Sequence, residues 1–380
     1  MSKRARVAAL AAVGADAHVE PFGQTAAGVP VQLVTLRLGA MCAQVATYGA
    51  TLTSVRVPDA RGAPTHVVLG FDELAAYEAC PFYLGSTVGR FANRIRAGAF
   101  PLEDAAGAMR TVTLPHRNDR GNTLHGGAAG WDKAVWRLAG ASATACTLEH
   151  DSPDGDEGFP GAVAISVTYA LEWCGRLSIV YRAAVSGAPT VLSPTNHAYF
   201  NLHDGGASSV LEHDLQVFAD TFLPTDTACL PTGELRPVDG AMDLREPTPI
   251  GRGIGAAQGG NGYDHNYVLA QGGSSHTDAL DLRFAAWLRS ARTGIEMAVL
   301  TTEPGLQVCG ANHLDGAHVG RGGIAYGSQA GVCLETQKFP DAPNHPDWPS
   351  AVVRPGETYE STTVYAFCAS ASATRCANAS

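Results

Sequence analysis

Hydrophobic residues along this chain recur most often at every second position, which is the spacing of a half-buried β-strand. In the clearest segment, 163–171, one face carries Val163, Ile165, Val167, Tyr169 and Leu171. The same alternation returns over 177–185, after a short turn that contains Gly175. Two alternating segments joined by a short glycine-containing turn predict a β-hairpin.

Shorter alternating segments, bounded by Gly, Pro, Asp or Asn clusters, predict further strands at 31–38, 43–48, 51–57, 296–301 and 362–367. Only brief helices are expected, for example at 72–78. Many strands with frequent turn residues predict an all-β fold, an antiparallel sandwich or barrel with few short helices. The long stretch 204–262 has the pattern of loops, and we expect it to lie over one face of the sheet.

Length and charge narrow the class of protein. A chain of 380 residues with 45% hydrophobic residues buries a large core, as one large domain or two tightly joined ones. The formal net charge of -10 repels phosphate backbones and anionic membrane surfaces, so neither nucleic acid nor a membrane is an expected partner. No stretch of the sequence approaches the roughly 20 apolar residues that a membrane helix requires.

The two ends of the chain lack strand alternation. We predict a flexible N-terminal segment at 1–16, a single domain at 17–368 and a disordered Ala/Ser-rich tail at 369–380. The basic, alanine-rich start also admits an export signal, although Asp16 interrupts its apolar run. Nine cysteines without a C-x-x-C pair favour reduced thiols in a cytoplasmic protein. The sequence does not distinguish a monomer from a homodimer.

Several familiar site motifs are absent from the sequence, including H-E-x-x-H, the P-loop and G-x-S-x-G, and no Cys/His cluster predicts a metal site. Polar residues gather in five short segments instead. These are 89–95 (GRFANRI), 123–132 (with TLHGG and GWD), 193–202 (SPTNHAYFNL), 262–267 (GYDHNY) and 333–341 (CLETQKFPD).

These five segments, in this order, resemble those of the aldose 1-epimerases, also called galactose mutarotases. Residues 48–50 (YGA) and 68–72 (VLGFD) fit the same family, and the resemblance runs from about 18 to 367. It implies a large twisted antiparallel β-sandwich, the galactose mutarotase-like supersandwich, with an open sugar cleft. It also implies interconversion of the α and β anomers of free aldohexoses such as galactose and glucose, with a small sugar as partner and without cofactor or metal.

The resemblance assigns the acid and the base position by position. The family's general base matches Glu335, its general acid matches His197, and a second active-site histidine matches His125. The chemistry supports such a pair independently, because an aldose changes anomer when its C1 hydroxyl loses a proton while its ring oxygen gains one. The open-chain aldehyde then rotates about C1–C2 and recloses on the other face.

Sugar hydroxyls call for charged and amide side chains that make paired hydrogen bonds. The family's sugar-binding residues match Arg94, Asn93 and Asp264. Arg94 and Asp264 also admit a plain structural ion pair. We expect Gln307 to steady Glu335 from a neighbouring strand.

Both catalytic groups need pKa values near the working pH, because their roles reverse when the ring recloses. We expect burial beside Leu334 and Phe339 to raise the pKa of Glu335, and the carboxylate of Asp264 to keep His197 protonated. Two titrating groups so close together also predict coupled pH behaviour.

At one position the chain departs from the family pattern. Family members commonly carry an aromatic residue and a threonine before a Gly-Asn pair, whereas residues 309–312 are Cys-Gly-Ala-Asn. Because an aromatic ring there can stack on a sugar face, we expect Cys309 to bring a weaker or altered sugar preference.

Three alternative functions stay open at this point. Arg90, Arg94 and Arg96 lie in one short segment, which suits an epimerase of a hexose 6-phosphate. A second alternative is a sugar-binding protein without catalysis on the same fold. The third is a glycoside hydrolase, which is disfavoured because it needs two carboxylates flanking the scissile bond, and the best pair here is a carboxylate and an imidazole.

Overall fold

Strands dominate the ordered structure of the chain. The computed structural model describes residues 10, 12–257, 260, 262–270 and 282–370. The first strands in chain order are β1 His18–Gln24, β2 Pro30–Leu38, β3 Met41–Ala46, β4 Thr51–Pro58, β5 Pro64–His66, β6 Thr87–Val88, β7 Arg94–Ile95, β8 Ala99–Glu103, β9 Met109–Thr113, β10 Thr123–Leu124, β11 Arg137–Ala141, β12 Ala145–Ser152, β13 Ala162–Glu172 and β14 Arg176–Ser186.

The second half of the chain continues in the same way. Its described strands are β15 Thr190–Val191, β16 Thr195–Asn196, β17 Tyr199–Phe200, β18 Asp214–Val217, β19 Thr221–Leu223, β20 Arg236–Pro237, β21 Thr248–Pro249, β22 Asp264–Val268, β23 Arg283–Arg289, β24 Ile295–Thr301, β25 Gly305–Cys309, β26 Val332–Gln337, β27 Val352–Val353 and β28 Thr358–Ala369. The strands predicted from alternation all fall on observed strands, with ends shifted by a few residues.

Helices in the described part of the chain are short. The α-helices are α1 Leu74–Ala79 and α2 Ile250–Gly253. Single 3-10 turns lie at Arg96–Gly98, Trp131–Lys133, Asp156–Gly158, Gly240–Met242, Ile254–Ala256, Arg321–Gly323 and Ala342–Asn344. The helix predicted at 72–78 corresponds to α1. Among the residues described, no helix has the length and apolar character needed to span a membrane.

Three antiparallel sheets hold most of the described strands. The largest has nine strands in the order β11-β12-β13-β14-β28-β24-β23-β18-β21. The second has six strands in the order β17-β26-β25-β22-β19-β20, and the third has five, β1 to β5 in sequence order. The predicted hairpin is β13–β14, in which Val163 faces Val185 and Leu171 faces Leu177 across the strands.

The nine-stranded and six-stranded sheets pack face to face. Leu334 of β26 and Val308 of β25 share one buried apolar cluster with Ile179 of β14 and Tyr365 of β28. The Tyr365 hydroxyl also donates a hydrogen bond to the Leu334 carbonyl across the interface. Because side chains alternate along a strand, the opposite face of the six-stranded sheet is free to line a cleft.

The expectation that 204–262 forms loops over one face is wrong in part. This stretch contains β18 to β21 and α2, and β18 pairs with β23 as part of the nine-stranded sheet. Strands β19 and β20 extend the six-stranded sheet. These strands are only two to four residues long, so they contain too few positions for an alternation to be recognised.

The chain ends and the cysteines were also subjects of prediction. Segments 1–16 and 369–380 lie mostly outside the described residues, so their flexibility and the single domain at 17–368 stay predictions. Free thiols in the described ranges are those of Cys42, Cys80, Cys146, Cys174, Cys229, Cys309 and Cys333. The expectation of reduced thiols is wrong for Cys368, which is disulfide-bonded.

Candidate active site

Strand β26 places Glu335 on the cleft face of the six-stranded sheet. Its neighbours Leu334 and Thr336 face the core, where the Thr336 hydroxyl hydrogen-bonds to Thr363 of the nine-stranded sheet. Alternation therefore turns the Glu335 carboxyl to the other face. Glu335 is 2% exposed, which is rare for a carboxyl group.

A short connection between β16 and β17 carries His197. Its backbone is fixed at both ends, because its N–H donates to the Ser86 carbonyl and its carbonyl accepts from the Gly85 N–H, each at 2.9 Å. The His197 Nε2 atom lies 3.8 Å from Oε2 of Glu335. The structure thus brings together two side chains that stand 138 residues apart (335 − 197).

His125 completes this group from the loop after β10. Its ring Nδ1 accepts a hydrogen bond from the backbone N–H of Asn93 at 3.1 Å. The backbone N–H of His125 donates to the Asn93 carbonyl at 3.0 Å. Since Nδ1 is an acceptor, the neutral ring carries its proton on Nε2. Gly126 makes this turn possible, because its φ is +89° and a Cβ there would lie 1.8 Å from the Gly89 carbonyl oxygen.

Aromatic rings enclose the two histidines. The Tyr83 ring centroid lies 4.6 Å from that of His125 and 5.7 Å from that of His197. Tyr199 stacks on His197 at 5.1 Å, and the Cys333 sulfur lies 3.6 Å from His197 Nδ1. These neighbours exclude water, and a dry environment strengthens every charge interaction within it.

Burial sets the proton affinities of Glu335 and His197. It raises the pKa of Glu335 well above its usual value, and the nearby acidic groups Cys309 and Asp264 act in the same direction. That expectation is confirmed. Burial also lowers the pKa of His197 to about 4, although Asp264 acts in the opposite direction. The expectation that Asp264 keeps His197 protonated is therefore wrong, because desolvation outweighs the attraction.

Arg94 enters the site at β7 and is held by acidic side chains. Its Nε donates to Oδ2 of Asp119 at 2.6 Å, and its Nη1 lies 4.0 Å from Oδ2 of Asp264. The Asn93 side-chain oxygen accepts from the Arg94 N–H at 2.8 Å. Asp119 was not predicted, because it belongs to a polar loop without any recognised motif.

Gln307 lies directly opposite Glu335 in the β25–β26 pairing, but the two side chains are not hydrogen-bonded to each other. Its amide nitrogen donates to Oδ1 of Asp264 at 2.7 Å instead. The expectation that Gln307 steadies Glu335 is therefore corrected, since Gln307 orients Asp264.

A buried polar row crosses the cleft face of the sheet through Glu335, Gln307 and Asn266, which are successive partners in register. Within the described ranges, Glu335 Oε2, Gln307 Oε1 and both side-chain polar atoms of Asn266 lack a hydrogen-bond partner. Buried polar atoms without partners are uncommon and point to a ligand that satisfies them. Asn266 was not predicted from the sequence. Its side chain lies on the same face as that of Asp264, which follows from alternation only when the bounds of β22 are known.

The three clustered arginines do not converge on this cleft. Arg90 is 2% exposed, and its guanidinium donates to Ser152 and to the carbonyls of Pro153 and Gly161. Arg96 forms ion pairs with Asp226 and Asp341 elsewhere. Arg94 is thus the member of the cluster that contributes to the site.

His125, His197 and Glu335 are close enough to act together. Each offers one donor atom, and these atoms lie within 4.8 Å of one another. Such spacing also suits ligands of a metal ion. It suits proton exchange equally, because a proton moves between groups at hydrogen-bonding distances through a shared substrate oxygen.

Known proteins resemble this chain over most of its length. The aldose 1-epimerase family model matches residues 32–366. Human galactose mutarotase is 38% identical over 348 residues, which cover 91% of this chain and 97% of that protein. Aldose 1-epimerase of Escherichia coli K12 is 37% identical over 349 residues, covering 90% and 96%.

Solved structures give the same result. An aldose epimerase homologue from C. elegans superimposes with a TM-score of 0.80 at 28% identity, covering 89% of this chain and 99% of that one. Galactose 1-epimerase from Lactobacillus acidophilus gives a TM-score of 0.77 at 27% identity, covering 93% and 99%.

The chain belongs to the aldose 1-epimerase family. The predicted family, isomerase class and antiparallel β-sandwich of the mutarotase type are confirmed.

Proposed function

We propose that this chain interconverts the α and β anomers of free aldohexoses such as galactose and glucose, with Glu335 and His197 transferring the protons. The observation that carries the proposal is the 3.8 Å approach of His197 Nε2 to Glu335 Oε2 in a dry site. The two sugar oxygens that exchange protons are both bonded to C1. One close acid–base pair therefore serves both oxygens.

The pair works by sharing a single proton. Burial favours the neutral forms of both groups, so the shared proton resides on Glu335. Its transfer to His197 gives the carboxylate and imidazolium for ring opening. Glu335 then accepts the proton of the C1 hydroxyl while His197 donates to the ring oxygen. After rotation about C1–C2, the same transfers run backwards and close the other anomer.

The surrounding residues hold the sugar. His125 donates from Nε2, because its Nδ1 is occupied by the Asn93 N–H. Arg94 and Asp264 bind hydroxyl groups from the cleft wall, and Asn266 offers an amide without a partner among the described residues. In this arrangement the residues of the cleft wall orient the sugar, and Glu335 and His197 transfer the protons.

Wild-type protein is expected to accelerate the change in optical rotation of pure α-galactose and α-glucose, and to act much more slowly on glucose 6-phosphate. Arg94 is a poor partner for a phosphate group, because it is already bound to Asp119 and faces Asp264. Polarimetry and NMR anomer exchange measure both rates. Sugar binding without acceleration would show a silent binding protein, and faster turnover of the phosphate would show a hexose 6-phosphate epimerase.

The pH profile of kcat/KM should be a broad bell. Activity requires one proton on the pair, so it falls on the acid side when His197 takes a second proton near pH 4. Activity falls on the alkaline side when Glu335 loses the only proton. This happens at a pH well above 4.5, the usual pKa of a glutamate, because the pKa of Glu335 is raised. An acid limb near 6.5, the ordinary value for histidine, would contradict the desolvation of His197.

Further parts of the proposal concern the whole protein. Seven of the eight cysteines in the described ranges are free, and although Cys368 is disulfide-bonded this predominance of free thiols supports a cytoplasmic location. The apolar cluster that runs from Val34 to Phe367 supports one domain over 17–368. We propose a monomer or a homodimer.

A further inference from the structure

Two cysteines lie side by side next to the catalytic pair. Cys309, the last residue of β25, is directly opposite Cys333 of β26, and both are free. Alternation along these strands places both on the cleft face, with Gln307 and Glu335. On its other side Cys309 faces Asp264, whose side chain is 38% exposed to the cleft. Cys309 is 8% exposed and Cys333 is fully buried, so Cys309 is the thiol of the pair that a small molecule in the cleft reaches first.

The contacts give the two thiols different characters. The hydrogen bond from Cys333 opposes burial and, together with one from His313, lowers the pKa of Cys309 to about 6. Burial and the bond to Cys309 raise the pKa of Cys333 well above its usual value. Burial lowers the pKa of His313, but its hydrogen bond to Cys309 and the charges of Cys309 and Asp264 together outweigh burial and raise it. A thiolate beside a protonated thiol provides an attacking and a resolving cysteine.

We propose that hydrogen peroxide oxidises Cys309 and Cys333 to a reversible disulfide, and that this bond switches off anomer exchange. The Cys309 sulfur attacks a peroxide oxygen, so an S–O bond forms as O–O breaks, and the leaving hydroxide takes a proton from His313. The Cys333 sulfur then attacks Cys309, so S–S forms as S–O breaks, and the departing hydroxide leaves as water with the Cys333 proton. The two sulfurs lose two electrons, which reduce one peroxide to two waters.

The strand geometry favours this bond. Directly opposed residues of an antiparallel pair have Cβ atoms about 4.5–5.5 Å apart, and a disulfide needs about 3.5–4.5 Å. The required approach of roughly an ångström falls at the end of β25, where Gly310 follows and the ladder stops. Strand ends accept such shifts more easily than strand centres.

The disulfide would act on both catalytic groups. It draws the Cys333 sulfur away from Nδ1 of His197, which it now contacts at 3.6 Å. It also removes the Cys309 charge that helps to raise the pKa of Glu335. The inference rests on the proposed catalytic roles for its effect on rate, whereas formation of the bond is measured separately by mass.

The test treats full-length protein with hydrogen peroxide and follows α-galactose anomer exchange before and after dithiothreitol. The rate is expected to fall by about tenfold or more, as for a misplaced catalytic group, and to recover on reduction. Peptide mass mapping should show loss of two hydrogen atoms in a Cys309–Cys333 link. Each variant is compared with its own untreated sample: Cys309→Ser and Cys333→Ser should lose the response, and the exposed-site control Cys174→Ser should keep it.

Several outcomes would overturn the proposal. Oxygen added to Cys309 without a link to Cys333 would exclude the disulfide, and so would a link between other cysteines. A mapped Cys309–Cys333 bond with an unchanged rate would exclude the switch. Wild-type protein with no anomer exchange before treatment would instead refute the proposed function and leave the mass result to decide the bond.

Discussion

Glu335→Gln is expected to lower kcat for anomer exchange by about 10²–10⁴, the usual contribution of a positioned proton transfer. The amide has nearly the shape of the carboxyl, so the sugar still binds, and KM changes little. It has no proton-accepting oxygen of sufficient basicity, so the C1 hydroxyl keeps its proton. Polarimetry and NMR exchange on α-galactose measure the loss directly.

The same variant should be more stable than wild type, which separates loss of chemistry from loss of folding. Burial raises the pKa of Glu335 above 4.5, so the native state holds a proton that the unfolded chain releases. That release favours unfolding from about pH 4.5 up to the raised native value, and glutamine removes the effect. The gain in melting temperature should therefore grow with pH across this window and vanish below it.

A matched control is Glu303→Gln. Glu303 is equally buried at 2%, but it is paired with Lys338 at 3.0 Å and with the Tyr359 hydroxyl. Its replacement should lower the melting temperature and leave kcat within about twofold. Full activity of folded Glu335→Gln would require a different base.

His197→Asn is expected to lower kcat by a similar factor of about 10²–10⁴. Asparagine keeps a polar group at this position but cannot carry the shared proton, so the ring oxygen leaves C1 without an acid. The residual activity should have a pH profile without the acid limb near pH 4. Exchange rates at several pH values, from polarimetry, measure both effects.

Its control is His116→Asn, at a side chain that is 50% exposed and lies beside Glu157. This variant should keep wild-type rates and the acid limb. If folded His197→Asn retained normal exchange, the ring oxygen would have to receive its proton from another group, and His125 would be the next residue to replace.

How much of the fold was predictable depended on strand length. Strands β13 and β14 have 11 residues each, so their alternation is plain in the sequence. The strands within 204–262 are too short for that pattern, and their pairing partners lie far away in the chain. Long-range pairing is a property of the folded sheet and leaves no local signal.

The candidate site shows the same division. Motifs identified Glu335, His197 and Arg94, whereas Asp119 and Asn266 emerge only from contacts and register. The protonation of His197 was misjudged, because its burial comes from rings elsewhere in the chain and is invisible in its own segment. Neighbouring charges can be read from sequence order, but desolvation cannot.

Alternation along β26 also links activity to correct folding. A slip of one residue against β25 would turn Leu334 outward and place the Glu335 carboxyl in the apolar interior, at a cost comparable with the usual margin of stability. Mispaired molecules would thus unfold or aggregate rather than remain in solution as folded, inactive protein. The rate of anomer exchange per soluble molecule should consequently be the same from one preparation to the next.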